Sequence, residues 1–525
     1  MRLRLGLFAA LLAWPAAAQT LIMAVGAPVT SLDPHFHNIG PNNAVASMLF
    51  DSLLRQDGDS RLQPALAESW TPAADGDGWD FTLREGVRFQ NGATLTSEDI
   101  AFTLARIPRV ANSPGAFTVY TRQVRAVEII DDRRFRLRTG SVSPMLPNDI
   151  SQVAILHHAI HREATTEGFN SGELAIGTGP WRLTSWRSGD RLELARNEAW
   201  WGGKLPWQTV TYRLILNDSA RVAALLSGDV AFIDQVPTSD IARLRKDARL
   251  AVSEKPSLRH LYLAFDHLRD GPTPFATDND GKPLPKNPFK DVRVRRALSQ
   301  ALDRRAIVDR VMEGVAIPTG QFMPPGAYGY DPSIPVPEID TDAARRLLAE
   351  AGYPQGFRLT LHGSNDRYLN DARILQAVAQ MWSRTGVRTA VEAAPYASFI
   401  TRASRQEFSA FLVSWGTSSG EPSAGLRATL GTWDPATGMG AVNRSRYSNA
   451  EFDRRVLAAM NILDAGERER MLQSATRVAM VDDSAILTTH FQVNVWAMRG
   501  GLRHAGRADE RTRPQDISPA EQEAR

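Results

Sequence analysis

The chain has 525 residues, with 61 Lys and Arg against 58 Asp and Glu for a net charge of +3, and no cysteine. That length exceeds one hydrophobic core and points to about three domains, while the missing thiol excludes disulfides, thiolate metal sites, a cysteine nucleophile and a lipidated cysteine anchor. The cations, mostly arginine, are scattered among acids and form neither a nucleic-acid stripe nor a polybasic membrane patch.

At the N-terminus, Arg2 and Arg4 precede an apolar run over residues 5–14, and Pro15 is followed by three alanines. This predicts a secretory signal peptide over residues 1–18, because the run is too short to span a bilayer. No second run reaches spanning length, so a free periplasmic protein is expected. Residues 21–25 read as a strand and 43–54 as a helix, joined by a loop carrying His35 and His37. Two imidazoles on one loop make a poor metal site, and hydrogen-bonding histidines are expected there.

Residues 79–106 carry the densest local signal. Trp79, Phe81 and Leu83 alternate with polar residues, and Val87 and Phe89 continue past Gly86, which predicts two short strands. Gln90-Asn91-Gly92 supplies a turn, after which Thr96 and Asp99 form a capping box for a helix with Ile100, Ala101, Leu104 and Ala105 on its apolar stripe. Pro108 ends it. His157, His158 and His161 have only Glu163 nearby, so a solvated helix start is expected rather than a metal centre. Gly177-Thr178-Gly179 leads into strands, lacking the helix and lysine of a phosphate loop, and Trp200 and Trp201 read as packing aromatics.

Residues 212–216, 219–226 and 230–234 read as strand, helix and strand, with the helix stopped at Gly228. A strand over 261–265 precedes an exposed excursion at 271–288. Residues 289–308 form a helix pair whose charged residues are expected on a solvated face. A helix over 342–353, a strand over 357–361, a polar loop and a helix over 371–385 follow. The strand 408–415 runs into Gly416-Thr417-Ser418-Ser419-Gly420-Glu421-Pro422. A helix starts near Tyr447, another covers 467–481, and residues 485–487 and 492–497 read as late strands. The tail, 506–525, is so rich in Arg, Glu, Asp and Pro that disorder is expected.

Residues 416–420 also spell the G-x-S-x-G of serine hydrolases, with Asp434, Asp453 and Asp482 preceding His490. A nucleophile elbow needs a helix at once, and Pro422 disfavours helical geometry at Glu421. A secreted hydrolase is therefore the weakest of three readings.

The pattern W-D-F-T-L-R-x-G-V-x-F-x-x-G...L-T-x-x-D-I, the Leu32-Asp33-Pro34-His35 loop, the Gly177–Gly203 segment, the charged helix after Phe289 and the Tyr447–Asp453 helix start resemble segments of one family, in the same order. It is the peptide/nickel class, family 5, of extracellular solute-binding proteins that serve ABC importers. The resemblance implies an α/β, two-lobed Venus-flytrap fold with two crossover hinge segments. Lobe I would comprise residues 19–260 and 485–505, with an extra subdomain at about 48–171, and lobe II residues 261–484. The implied role is that of a monomeric, non-enzymatic binding protein without cofactor, which captures a small peptide or peptide-like solute between the lobes and delivers it to the permease. The resemblance places Trp415, Thr417, Ser418, Ser419 and Glu421 in the cleft, with Arg367 as the holder of the ligand's carboxylate, and Tyr368, His35 and Phe265 beside them. Ser418 stands where dipeptide-binding relatives carry an aspartate for the peptide's amino group. This departure, with the loop histidines, keeps open a chelated metal or another non-peptide solute.

Overall fold

The computed structural model describes residues 20–417 and 419–520, so the expected signal peptide, residues 1–18, lies outside the described residues. Lobe I begins with β1 (Thr20–Val25) and α1 (Gly40–Leu49). A subdomain follows, with β2 (Ala67–Pro72), β3 (Trp79–Leu83), α2 (Ser97–Arg106), β4 (Ala126–Ile129), β5 (Arg134–Arg138) and α3 (Leu146–Ile150). Its strands form a separate antiparallel sheet in the order β2-β3-β5-β4. Phe81 of β3 stacks on Phe135 of β5 with ring centroids 5.3 Å apart. The capping box forms as expected, the Asp99 carboxylate accepting from the Thr96 backbone N–H at 2.9 Å. The strand expected at Val87 and Phe89 shrinks to one bridge between Arg88 and Thr94, although both apolar residues reach the core. Gly86 and Gly92, at φ 73° and 90°, turn the chain before a ladder can extend.

The chain then forms β6 (Trp181–Arg187), β7 (Arg191–Arg196), β8 (Thr209–Leu214), α4 (Asp218–Ser227) and β9 (Phe232–Ile233). β1 lies parallel to both β8 and β9. Just before β6, Gly177 and Gly179 let the backbone pass α1; a Cβ on Gly177 would lie 2.2 Å from the Leu49 carbonyl oxygen. Close approach, not phosphate binding, explains this glycine cluster.

β10 (Leu250–Phe265) is 16 residues long. Lobe II adds β11 (Phe357–Ser364), α5 (Asp371–Ser383), β12 (Val387–Ala394) and β13 (Ala410–Gly416), and β14 (Ile486–Arg499) runs back. All the principal strands of both lobes join one sheet, in the order β12-β11-β13-β10-β14-β9-β1-β8-β7-β6. β10 and β14 pair antiparallel across both lobes, and their register breaks between Pro256 and His260 and again at Leu261 to Tyr262. Side chains of β10 alternate between faces: Leu261, Leu263 and Phe265 enter one lobe II core, and Leu258, Tyr262 and Ala264 the other. Sequence periodicity shows only the second half of β10, because Glu254, Lys255, Pro256, Arg259 and His260 interrupt the apolar pattern of the first.

Three expectations are corrected. Phe265 is fully buried, stacked on Phe289 at 4.9 Å in the lobe II core, and does not face the cleft. Within the charged helix pair, Arg295 and Arg304 are buried rather than solvated. Arg295 donates to the carbonyls of Phe289, Asp483 and Ser484, and Arg304 to those of Ser299 and Thr488.

The third correction concerns the tail. Through residue 520 it is ordered and built into lobe I. Ile517 lies in the lobe I core. Trp181, Trp207 and Trp496 donate their indole N–H groups to Gln515, the Ile517 carbonyl and Thr512 at 3.3, 2.7 and 2.9 Å. Charged residues here fold because they satisfy one another: Arg507 is paired with Asp509 at 2.7 Å and also donates to the Gln56 and Asp57 carbonyls. Deleting residues 506–525 strands three indoles and several carbonyls, so thermal unfolding should show a loss of about 3–5 kcal/mol or more. A disordered tail would leave the melting temperature unchanged.

Candidate functional site

Two adjoining cavities of about 350 and 510 Å³ lie between the lobes, and both are lined by Asp234, Gln235, Arg259, Arg367, Glu510 and Thr512. These volumes are of the size that holds a small-molecule ligand. Lobe I contributes the N-terminus of α1, where Ile39 provides no side-chain cap and the first turn faces the smaller cavity. Unmet N–H groups and the positive end of the helix dipole make this wall hospitable to an oxygen acceptor.

The loop after β9 supplies Asp234 and Gln235. Gln235 has φ 46°, a left-handed conformation costly for a residue with a Cβ. Arg221 of α4, fully buried, holds it there. Its guanidinium donates to the carbonyls of Asp234, Gln235 and Ile215 at 3.1, 2.8 and 2.8 Å and to Asp218 at 2.7 Å. Asp234 accepts from the Gly26 N–H at 2.8 Å, and burial pushes its carboxyl up to about 6. It is therefore ionised at neutral pH.

Arg259 sits at the register break of β10. Its Nε and Nη2 donate to Glu510 at 2.8 and 3.2 Å, and its Nη1 to Ser414 at 3.1 Å. Gly416 leaves room for it, since a Cβ there would come within 2.7 Å of Nη2. Burial alone would raise the Glu510 carboxyl, but the charge and hydrogen bonds of Arg259 and the Ser257 hydroxyl hold it below the usual range.

Arg367 differs from these ties. Its backbone N–H is fixed by Asp371 at the start of α5, at 3.1 Å. Its guanidinium is exposed, 5.6 Å from the ring centroids of both Tyr368 and Tyr396, and makes no ion pair among the described residues. Of the cleft cations, Arg511 donates to Gln152 and Arg373 faces Glu313 at 3.5 Å, so Arg367 alone makes no ion pair or side-chain hydrogen bond among the described residues, Glu510 reaching it only through its charge. Tyr368 lines the larger cavity.

The ligand loop expected after β13 divides. Thr417 lines the smaller cavity, its hydroxyl buried without a hydrogen-bond partner among the described residues. Ser418 lies outside the described residues. Ser419 accepts, through its carbonyl, from Asn148 of α3 at 2.6 Å, and so belongs to a lobe-to-lobe contact. Trp415 packs against the second lobe II core and lines neither cavity. Glu421 is buried away from both cavities, accepting from Ser423 and lying 3.6 Å from Arg468. His35 is likewise removed from the cleft: its Nε2 meets the Ala154 carbonyl at 2.8 Å, its Nδ1 meets Arg106, and burial drives its pKa down to about 4. A side chain so engaged gives no support to a metal-chelate ligand.

Three further sequence candidates lie away from the cleft. His157, His158 and His161 lie on a turn, not a helix. His157 and His161 are buried, His157 and His158 both meet Asp99 Oδ1 at 3.0 and 2.8 Å, and His161 stacks on Phe169. Trp200 and Trp201 do act as loop anchors, both donating to Asp51, at 3.3 and 2.8 Å. His490, the hydrolase candidate, is fully buried in β14. It meets Thr489 at 3.0 Å and no carboxylate among the described residues, and the helix after the G-x-S-x-G segment starts only at Ser423.

The lobes touch around the cleft. Asn370 donates to Thr238 at 3.0 Å on one side, and Asn148 to Ser419 on the other. Next to the second contact, Asp149 of α3 faces Glu421 of lobe II. Burial and the Glu421 charge together push Asp149 up to about 8, against the pull of Arg122 and Gln123. Glu421 is itself raised by burial. A carboxyl raised from 3.8 to about 8 stabilises the folded, closed state most below pH 4, and that contribution is lost as pH climbs toward 8. Asp149→Asn should therefore raise stability at pH 8 by about 1–3 kcal/mol and flatten the decline between pH 5 and 8, as read by thermal unfolding across that range.

The profile of the bacterial extracellular solute-binding proteins, family 5 Middle, matches residues 61–436. The glutathione-binding protein GsiB of Salmonella typhimurium is 28% identical over 483 residues, 90% of this chain and 89% of that protein. HbpA2 of Haemophilus parasuis superposes with a TM-score of 0.81 at 22% identity, covering 95% of this chain and 100% of its own. The ABC transporter-associated periplasmic binding protein DppA of Helicobacter pylori, solved with the peptide STSA, gives a TM-score of 0.76 at 21% identity over 95% of this chain and 98% of its own.

Proposed function

Because this chain belongs to family 5 of the bacterial extracellular solute-binding proteins, we propose that its cleft captures a small peptide or peptide-like solute with a free carboxylate. The observation that carries this reading is Arg367, a cation that makes no ion pair among the described residues, set on a pinned loop and facing both cavities. A planar guanidinium takes a carboxylate through two parallel hydrogen bonds. Asp234 offers a counter-charge for an ammonium group, and so takes the part that Ser418 leaves vacant in the ligand loop. The Thr417 hydroxyl and the first turn of α1 supply neutral hydrogen bonds between these poles. The peptide STSA in the DppA complex, with one terminal carboxylate, is a solute of this chemistry.

The mechanism is closure about the β10 and β14 crossover. A solute that touches Arg367 on lobe II and Asp234 on lobe I stabilises the closed state by contacts absent from the open one. The closed form is what an ABC importer's permease reads, with the protein exported to the periplasm as a monomer.

Native mass spectrometry of the purified protein, followed by denaturing release, should yield peptides or one peptide-like acid. A released compound without a carboxylate would sink the assignment. Arg367→Ala should weaken that solute about 10- to 100-fold, the worth of a charge-assisted pair, in calorimetric titration. Affinity for an amine-bearing solute should also fall below pH 6 as Asp234 takes a proton, a decline that Asp234→Asn removes.

A further inference from the structure

We infer that Glu510 sets the cleft's specificity by acting as an internal carboxylate that occupies Arg259, so that solutes with one carboxylate are selected over solutes with two. The inference rests on the reading that Arg367 takes the solute's carboxylate.

Two arginines, Arg259 and Arg367, line both cavities, and a cleft with two free guanidinium groups would favour a dianion. Glu510 removes one of them. Its Oε1 accepts from Arg259 Nε and from the Ser257 hydroxyl, at 2.8 and 2.9 Å, and its Oε2 from Arg259 Nη2 at 3.2 Å. That is the two-pronged geometry an incoming carboxylate would otherwise adopt on Arg259.

Glu510 is also placed there by a costly backbone. Its φ is 66°, in the left-handed region that side chains with a Cβ avoid. The neighbouring residue holds it: Asp509 takes a forked pair from Arg507 and accepts the Arg511 backbone N–H at 3.2 Å. Strain of this kind persists where surrounding bonds over-determine it, and it clusters at ligand clamps. Here the carboxylate is delivered from the C-terminal segment into the space shared by the two cavities.

The test compares two dipeptides of equal length, Ala-Ala with one carboxylate and Ala-Glu with two, by calorimetric titration at pH 7. Wild-type protein should bind Ala-Ala about tenfold more tightly than Ala-Glu. Glu510→Gln keeps the shape, frees Arg259 and should erase or reverse that preference. Adding Arg259→Gln to it should cancel the gain for Ala-Glu. Equal or tighter binding of Ala-Glu by the wild type overturns the inference with no variant needed, and so does an unchanged ratio in folded Glu510→Gln. A structural role alone would lower the melting temperature and both affinities together, leaving their ratio fixed. If wild-type protein binds neither dipeptide, the selection by carboxylate number is overturned, while the peptide reading is decided separately by the compound that native mass spectrometry releases.

Discussion

The pairing of β10 with β14 is the constraint on which the molecule depends. Each is a single strand serving two lobes, so the lobes share one hydrogen-bonded sheet rather than two sheets joined by loose linkers. A continuous ladder would make them one rigid body. The register break at Pro256 to His260 interrupts it, and the backbone groups freed there are met from elsewhere. The Leu258 N–H donates to Ala508 of the C-terminal segment at 3.2 Å, and the Leu258 carbonyl accepts from Thr417 of lobe II at 3.3 Å. One hinge residue thus ties together the crossover, the tail and the ligand loop. Opening the cleft must exchange or stretch these bonds, which is why the cleft walls and the hinge lie at the same place.

Arginine divides into two populations by what surrounds it. Arg221, Arg295, Arg304 and Arg507 are buried with nearly every N–H directed at a carbonyl or carboxylate, acting as fixed multi-pronged ties. Burying such a charge is destabilising unless all its donors are met, and here the backbone of turns and strand ends meets them. Arg367 has an equally well-fixed backbone and no such partners. Of the arginines that line the cleft, it alone makes no ion pair or side-chain hydrogen bond among the described residues, which leaves its guanidinium available to a solute.

Much of the fold is legible in the sequence because it rests on local rules. The Thr96 and Asp99 box, the Gly228 stop, the helix start after Tyr447 and the alternation at Trp79 to Leu83 each depend on residues within one turn or one strand. The family resemblance assembles these pieces into two lobes, and the order of the sheet agrees with it. The first half of β10 escapes notice because a hinge strand need not look like a strand: it carries Lys255, Pro256 and Arg259, whose side chains serve the subdomain, the break and the cleft.

The site is less legible, and the tail explains why. Compositional rules expect a charged, proline-rich end to stay unfolded because it has little apolar surface to bury. That argument counts each charge as a solvation cost. In this tail the charges are paired with one another and with lobe I, while a side-chain amide oxygen, a backbone carbonyl and a hydroxyl accept from the indoles of Trp181, Trp207 and Trp496, far away in sequence. Nothing in residues 506–520 alone announces those partners. Nor does the sequence around Arg259 announce Glu510, 251 positions away. Arg367, Tyr368 and Thr417 could be found from local loop chemistry and resemblance, whereas the pairing that neutralises Arg259 exists only once the chain's end has folded back across the hinge. Since that same end holds Leu258, the segment that adjusts the charge of the cleft is also the one that supports its closure.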